Sequence, residues 1–110
     1  MTQVCKKPPS LAYTKLRDTV TAYCNITAGE FRENFDEETG LYRKDLYCSD
    51  KNMTDANLLS FLILKEVRGN VYLDNNQLTH VDGLVNLTSI GGNLHLNANS
   101  INNLLGLSQF

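Results

Sequence analysis

Apolar and polar residues alternate from Asp45 to Ser49, with Leu46 and Cys48 on one side of the alternation and Asp45, Tyr47 and Ser49 on the other. The same arrangement returns at Val71 and Leu73, and again at Leu94 and Leu96. A period of two predicts half-buried strands. Each strand is followed by a polar corner, then by a single apolar residue, Met53, Leu78 or Ile101, and then by a return segment. Apolar residues recur there every three positions, as Phe61, Leu64 and Val67 in one copy and Leu84, Leu87 and Ile90 in the next. So short a step predicts a 3₁₀ or irregular coil in preference to a full α-helix. From Leu46 to Val71 is 25 residues and from Val71 to Leu94 is 23, the first return being two residues longer.

A unit of this size cannot bury its own apolar face, whereas stacked units share one continuous core. Asn76 and Asn99 occupy the corner, where an inward amide can satisfy backbone groups that the bend leaves unpaired. Lys51 stands at that place in the first copy and cannot accept a hydrogen bond, so that turn is expected to be irregular or bonded through Asp50 or Asn52. Gly69, Gly91 and Gly92 precede the strands and are expected to form tight turns. Residues 1–41 do not repeat. Pro8-Pro9 and Ser10 signal a helix start, and Leu16, Val20 and Cys24, with Tyr13 and Tyr23 nearby, give the apolar stripe of a helix of about four turns. Phe31 and Phe35 suggest a second short helical turn before the acidic stretch ending at Gly40. The expected role of this segment is to cap the first repeat.

The run GNVYLDNNQLTHVDGLVNLTSIGGNLHLNANSI resembles leucine-rich repeats, with the L-x-L-x-x-N-x-L pattern at Val71, Leu73, Asn76, Leu78 and at Leu94, Leu96, Asn99, Ile101. It is similar to the short repeats of bacteriophage proteins and bacterial surface proteins. The resemblance implies an α/β repeat fold, a short leucine-rich-repeat-type solenoid with a parallel sheet and an N-terminal helical cap. The expected division is a capping segment at 1–41 and about three repeats at 42–110, bounded as 42–66, 67–89 and 90–110. The pattern departs from the family's at its first leucine, where Arg43, Arg68 and Gly91 stand, and no polar cap is evident at the C-terminus. An open end of that kind exposes apolar surface and a strand edge, so either it pairs with another molecule or the chain forms a homodimer through the C-terminal repeat.

With 110 residues the chain has room for one core, and its 42% hydrophobic and 20% charged residues are those of a globular domain. A net charge of −2 gives no reason to expect nucleic-acid or membrane binding. Cys5, Cys24 and Cys48 form no metal spacing and leave an odd thiol if paired, which fits a reducing, cytoplasmic setting. On that expectation the acceptor triplets Asn25-Ile-Thr, Asn52-Met-Thr and Asn86-Leu-Thr are incidental. Cys48 is expected to fill the core as a small apolar thiol.

The chain contains no nucleophile elbow, phosphate loop, zinc spacing or HExxH pair, so no catalytic residue, metal or cofactor is expected. His80 and His95 fall in different phases of the repeat, and Asp36, Glu37 and Glu38 lack the spacing of a calcium loop. The outward strand positions remain: Asp45, Asn70 and Asn93 in one row, Tyr47, Tyr72 and His95 in the next, and Ser49, Asp74 and Asn97 in the third. An aromatic stripe flanked by amides and acids suits protein binding, because tyrosine offers large contact area at low entropic cost. The expected function is a non-catalytic protein-interaction module of phage type that binds and inhibits a bacterial defence protein, in the manner of an anti-CRISPR protein. The alternative is the N-terminal piece of a longer leucine-rich repeat scaffold or surface protein.

Overall fold

Ser10 opens the first helix by accepting a hydrogen bond from the Tyr13 amide at 3.0 Å, which satisfies one of the donors a helix start leaves unpaired. The computed structural model describes residues 10–109; Cys5, the Pro8-Pro9 pair and Phe110 lie outside them. Helix α1 spans Leu11–Tyr23 and buries Leu16 and Val20 four residues apart, with Cys24 buried just past its end. Thr27 and Glu30 then form a reciprocal capping box, each side chain accepting from the other's backbone amide at 3.1 Å. It starts α2, Ala28–Asn34, so the expected second turn is a helix of 7 residues. Phe31 on α2 stacks on Phe35 at 4.9 Å between ring centroids and meets Tyr13 at 5.2 Å and Tyr42 at 6.1 Å. This aromatic cluster ties the N-terminal segment to the first strands.

Strands β1 (Phe35–Asp36) and β2 (Leu41–Tyr42) pair antiparallel around a turn that closes at Gly40, whose φ of 73° is left-handed and costs glycine little. From there the chain makes β3 (Leu46–Tyr47), α3 (Asp55–Leu58) running into a 3₁₀ turn at Leu59–Ile63, β4 (Glu66–Val67), β5 (Val71–Tyr72), a 3₁₀ turn at Asp82–Leu84, β6 (Ser89–Ile90), β7 (Leu94–His95) and a last 3₁₀ turn at Leu105–Leu107. β2, β4 and β6 pair in parallel with Tyr42 opposite Val67 and Val67 opposite Ile90. β3, β5 and β7 do the same with Leu46 opposite Val71 and Val71 opposite Leu94.

The expected fold class is therefore corrected. In place of a leucine-rich-repeat-type solenoid with one parallel sheet and a separate helical cap, the chain forms a small α/β structure with two sheets and three helices. One sheet, ordered β1-β2-β4-β6, is mixed; the other, β3-β5-β7, is parallel. The N-terminal segment contributes β1 to the mixed sheet instead of merely lying over a repeat. The three alternating stretches form β3, β5 and β7, whereas β4 and β6 arise at the ends of return segments expected as 3₁₀ or irregular coil, and the backbone leaves the ladder between Val67 and Val71 and between Ile90 and Leu94.

The glycines at these breaks lie in bends, as expected, and there they also make room. None of Gly69, Gly91 and Gly92 has a positive φ, but a Cβ on Gly69 would meet the Asp45 amide at 2.8 Å and one on Gly91 the Arg68 carbonyl carbon at 2.9 Å. The core runs without interruption through Leu46, Val71, Leu73, Met53, Leu78, Phe61, Leu84, Leu64 and Leu87, all at most 1% exposed. Its counterparts in the last unit, Leu94, Leu96 and Ile101, are only partly buried.

Candidate interaction surface

Parallel register sets residue upon residue, so Tyr47 of β3 lies opposite Tyr72 of β5, and Tyr72 opposite His95 of β7. Their rings stack almost flat: Tyr47 on Tyr72 at 4.9 Å and 8°, Tyr72 on His95 at 4.6 Å and 9°. The faces of the inner ring are thus spent on its neighbours, and the row presents ring edges, the tyrosine hydroxyls and the imidazole nitrogens outward. Tyr47, at the end of the row, is 53% exposed; Tyr72 and His95 are half-buried.

The two flanking rows are largely occupied with holding the rungs together. Asp45 Oδ1 accepts from the Asn70 amide at 2.6 Å, and Asn70 Oδ1 accepts from the Asn93 amide at 2.7 Å. A side-chain oxygen on each rung thereby takes the backbone donor of the next, one residue before β3, β5 and β7 begin. On the other flank Ser49 Oγ donates to Asp74 Oδ1 at 2.7 Å, while Asn97 is exposed. Tyr47 also donates its hydroxyl to Asp45 Oδ2 at 2.8 Å. The Asn70 amide and then the Tyr47 hydroxyl hold the Asp45 carboxyl below its ordinary range. The same bond to Asp45, and that carboxylate's charge, push the Tyr47 phenol up.

Asn76 is buried at the corner between the first two units. Its Nδ2 donates to the Cys48 and Leu73 carbonyls, both at 2.8 Å, and its Oδ1 accepts from the Met53 amide at 2.9 Å and the Lys51 amide at 3.1 Å. Asn99 donates to the Leu73 and Leu96 carbonyls at 2.9 and 3.0 Å and accepts from the Leu78 amide at 3.1 Å. The Lys51 amide is thus served from the second unit, and Asp50 and Asn52 on either side of it are left-handed at φ 58°.

Cys48 is not a free thiol: it is disulfide-bonded to Cys24 at the end of α1. That bond corrects the expectation of unpaired cysteines. Beside it opens a cleft of about 390 Å³ whose lining includes Asn25, Tyr42, Arg43, Lys44, Arg68 and Tyr47. With Tyr42 opposite Val67, Arg43 and Arg68 sit on consecutive rungs. Neither they nor Lys44 make a salt bridge among the described residues. These cations escape a reading by composition, although their shared place in the repeat puts them side by side. A broader apolar groove of about 840 Å³ runs between α1 and the return segment, with Leu11, Leu59 and Leu62 exposed along it.

His80 and His95 do not meet: His80 Nε2 is 3.5 Å from Asp55 and its Nδ1 3.6 Å from Asp82, while His95 ends the aromatic row. Among the described residues no group of three or more His, Cys, Asp or Glu is placed to hold a metal ion, and no helix is long and apolar enough to cross a membrane. No family model, curated protein or solved structure matches the chain.

Proposed function

We propose that the chain is a non-catalytic protein-binding module that docks its partner on the Tyr47–Tyr72–His95 row. The observation that carries this reading is the continuous three-ring stack on a parallel sheet, open to solvent at Tyr47. Stacking restricts the rings before any partner arrives, so less side-chain freedom is lost on docking. The hydrogen-bonded rows on either side hold the rungs in register and keep that edge rigid. The narrower expectation of a bacterial defence protein as partner rests on the chain's size and its repeat resemblance and not on the row itself, so the reading extends to a protein partner without naming it. The Cys24–Cys48 bond gives that partner no reducing setting.

The test starts from a partner captured with the disulfide-bonded chain and identified by mass spectrometry. Binding is then titrated for the wild type and for Tyr47→Ala with Tyr72→Ala, whose circular dichroism and urea midpoint are measured alongside. Loss of about 30-fold in affinity with the fold intact is the outcome expected for a hot spot of roughly 2 kcal/mol. Unchanged affinity in a folded variant sinks the reading.

A second reading has its own observation. Leu94, Leu96 and Ile101 are half-exposed where Val71, Leu73 and Leu78 are fully buried, β6 and β7 are sheet edges, and Leu104 and Leu105 are 58% and 72% exposed. We infer that the chain also associates with itself through this C-terminal unit. Light scattering across a concentration series should then show dimers, and Leu104→Lys with Leu105→Lys should return monomers. A wild-type chain that stays monomeric throughout the series removes this second reading.

A further inference from the structure

The chain carries 13 asparagines, and those that serve the rung-to-rung ladders, Asn70, Asn76, Asn93 and Asn99, all lack a serine or threonine two positions on. The Asn-x-Thr triplets fall elsewhere, at Asn25, Asn52 and Asn86, and all three of these asparagines are exposed, as are Thr27, Thr54 and Thr88. Asn25 and Asn52 lie on surface turns with φ of 55° and 58°. Their Oδ1 atoms accept at 3.3 Å from Lys51 Nζ and at 3.5 Å from Gln77 Nε2, and neither Nδ2 donates to another described residue. Asn86 Nδ2 spends one hydrogen on the Leu62 carbonyl at 2.8 Å.

A second, independent feature bears on these triplets. The Cys24–Cys48 bond is the mark of a chain that matures where disulfides form and persist, and in a eukaryotic secretory route that is also where Asn-x-Ser/Thr acceptors meet their donor. Asn25 follows Cys24 directly, and Asn52 stands four residues beyond Cys48, so two of the acceptors flank the bonded pair.

We infer that Asn25, Asn52 and Asn86 are N-glycan acceptors of a chain that folds in an oxidising compartment, a property beyond the binding reading above. The donor class is an oligosaccharide carried on a polyprenyl pyrophosphate. Asn Nδ2 attacks the anomeric carbon of the first sugar, the sugar–pyrophosphate bond breaks, and the lipid pyrophosphate leaves with the bonding electron pair. One Nδ2 proton is lost to the transferring enzyme, and no electron donor or acceptor is needed. The product amide keeps its other hydrogen, so the Asn86 bond to Leu62 survives the modification. A glycan at Asn25 would stand on the cleft that Tyr47 also lines, whereas Asn52 and Asn86 are not part of that lining.

The full chain is expressed behind an added leader in cultured insect cells, and both the secreted and the cell-retained protein are digested with peptide-N-glycosidase in heavy-oxygen water and mapped by mass spectrometry. Heavy aspartate is expected at all three positions, with Cys24 and Cys48 recovered as one disulfide-linked peptide and the circular dichroism unchanged by deglycosylation. Asn25→Gln, Asn52→Gln and Asn86→Gln should each remove one label and leave the other two. Unlabelled asparagine at these positions in disulfide-bonded protein overturns the inference. Labels found only on reduced, misfolded chain overturn it too, because the glycans would then be incompatible with this fold. Neither outcome bears on the aromatic row, whose test uses partner affinity.

Discussion

At the scale of single residues, Asn76 does more than any other polar side chain to hold the first two units together. Four backbone groups, the Cys48 and Leu73 carbonyls and the Met53 and Lys51 amides, end on its amide. Met53 and Leu73 are fully buried, so no water can replace those bonds. Asn76→Ala should cost about 3 kcal/mol in urea unfolding, the penalty for stranding several buried polar groups less what local relaxation recovers. Asn99 has the same chemistry but sits half-exposed in the last unit, and Asn99→Ala should cost about 1 kcal/mol because water reaches the released groups. If the two variants lose equal stability, burial is not what separates them. These side chains are legible in the sequence, since an asparagine recurring at one offset past each apolar pair invites a structural role. Asp45 and Asn70 are less so: a polar residue at an outward position reads as surface, and nothing in the pattern says that its oxygen turns along the sheet to take the next rung's amide.

At the scale of elements, Asp55 joins α3 to the following unit. Its carboxylate accepts from the Thr79 amide at 2.8 Å and hydroxyl at 2.5 Å and from the His80 amide at 3.3 Å, with His80 Nε2 at 3.5 Å. The Thr79 hydroxyl first, then the backbone donors and His80, hold its pKa below the ordinary aspartate value. A depressed folded pKa gives stability that is fully present above the unfolded value of about 3.9 and is lost as pH falls through the folded value. Urea midpoints should therefore drop below about pH 4, and Asp55→Asn should lower the neutral-pH plateau while making that acid limb shallower. An unchanged limb would assign the acid sensitivity elsewhere, Asp45 being the next carboxyl with a depressed pKa. Helix α1 has signals that a sequence can show, a serine cap and apolar residues at four-residue steps. Alternation finds the stretches that become β3, β5 and β7, but β1, β2 and β4 are two residues each and lie outside those stretches, so neither the β1–β2 hairpin nor the second sheet can be seen in it. The hairpin hides inside an acidic stretch whose composition suggests a solvated loop. The single parallel sheet failed for that reason.

At the scale of the whole molecule, the N-terminal segment is fastened to the rest by the β1–β2 pairing, the aromatic cluster around Phe31 and one covalent bond. Counting cysteines could not reveal that bond. Placing them could: Cys24 falls on the apolar stripe of α1 and Cys48 on the inward side of its strand, so both point into the same core. The bond joins residues 24 apart in sequence, and restricting an unfolded loop of that length is worth roughly 3 kcal/mol on the chain-entropy model. Urea unfolding with and without reductant should differ by about that amount, and Cys24→Ala with Cys48→Ala should match the reduced protein. The variant also isolates what the bond does for binding. Tyr47 is next to Cys48 in the chain, and its row owes its register to the β3–β5 pairing, which persists without the sulfur link. Partner affinity should therefore fall less than about threefold in the variant, under conditions where it remains folded, because the rungs and not the disulfide set the aromatic row. A loss as large as that of Tyr47→Ala with Tyr72→Ala would mean that the partner reads the position of the N-terminal segment across the cleft, and the docking surface would then include Arg43 and Arg68.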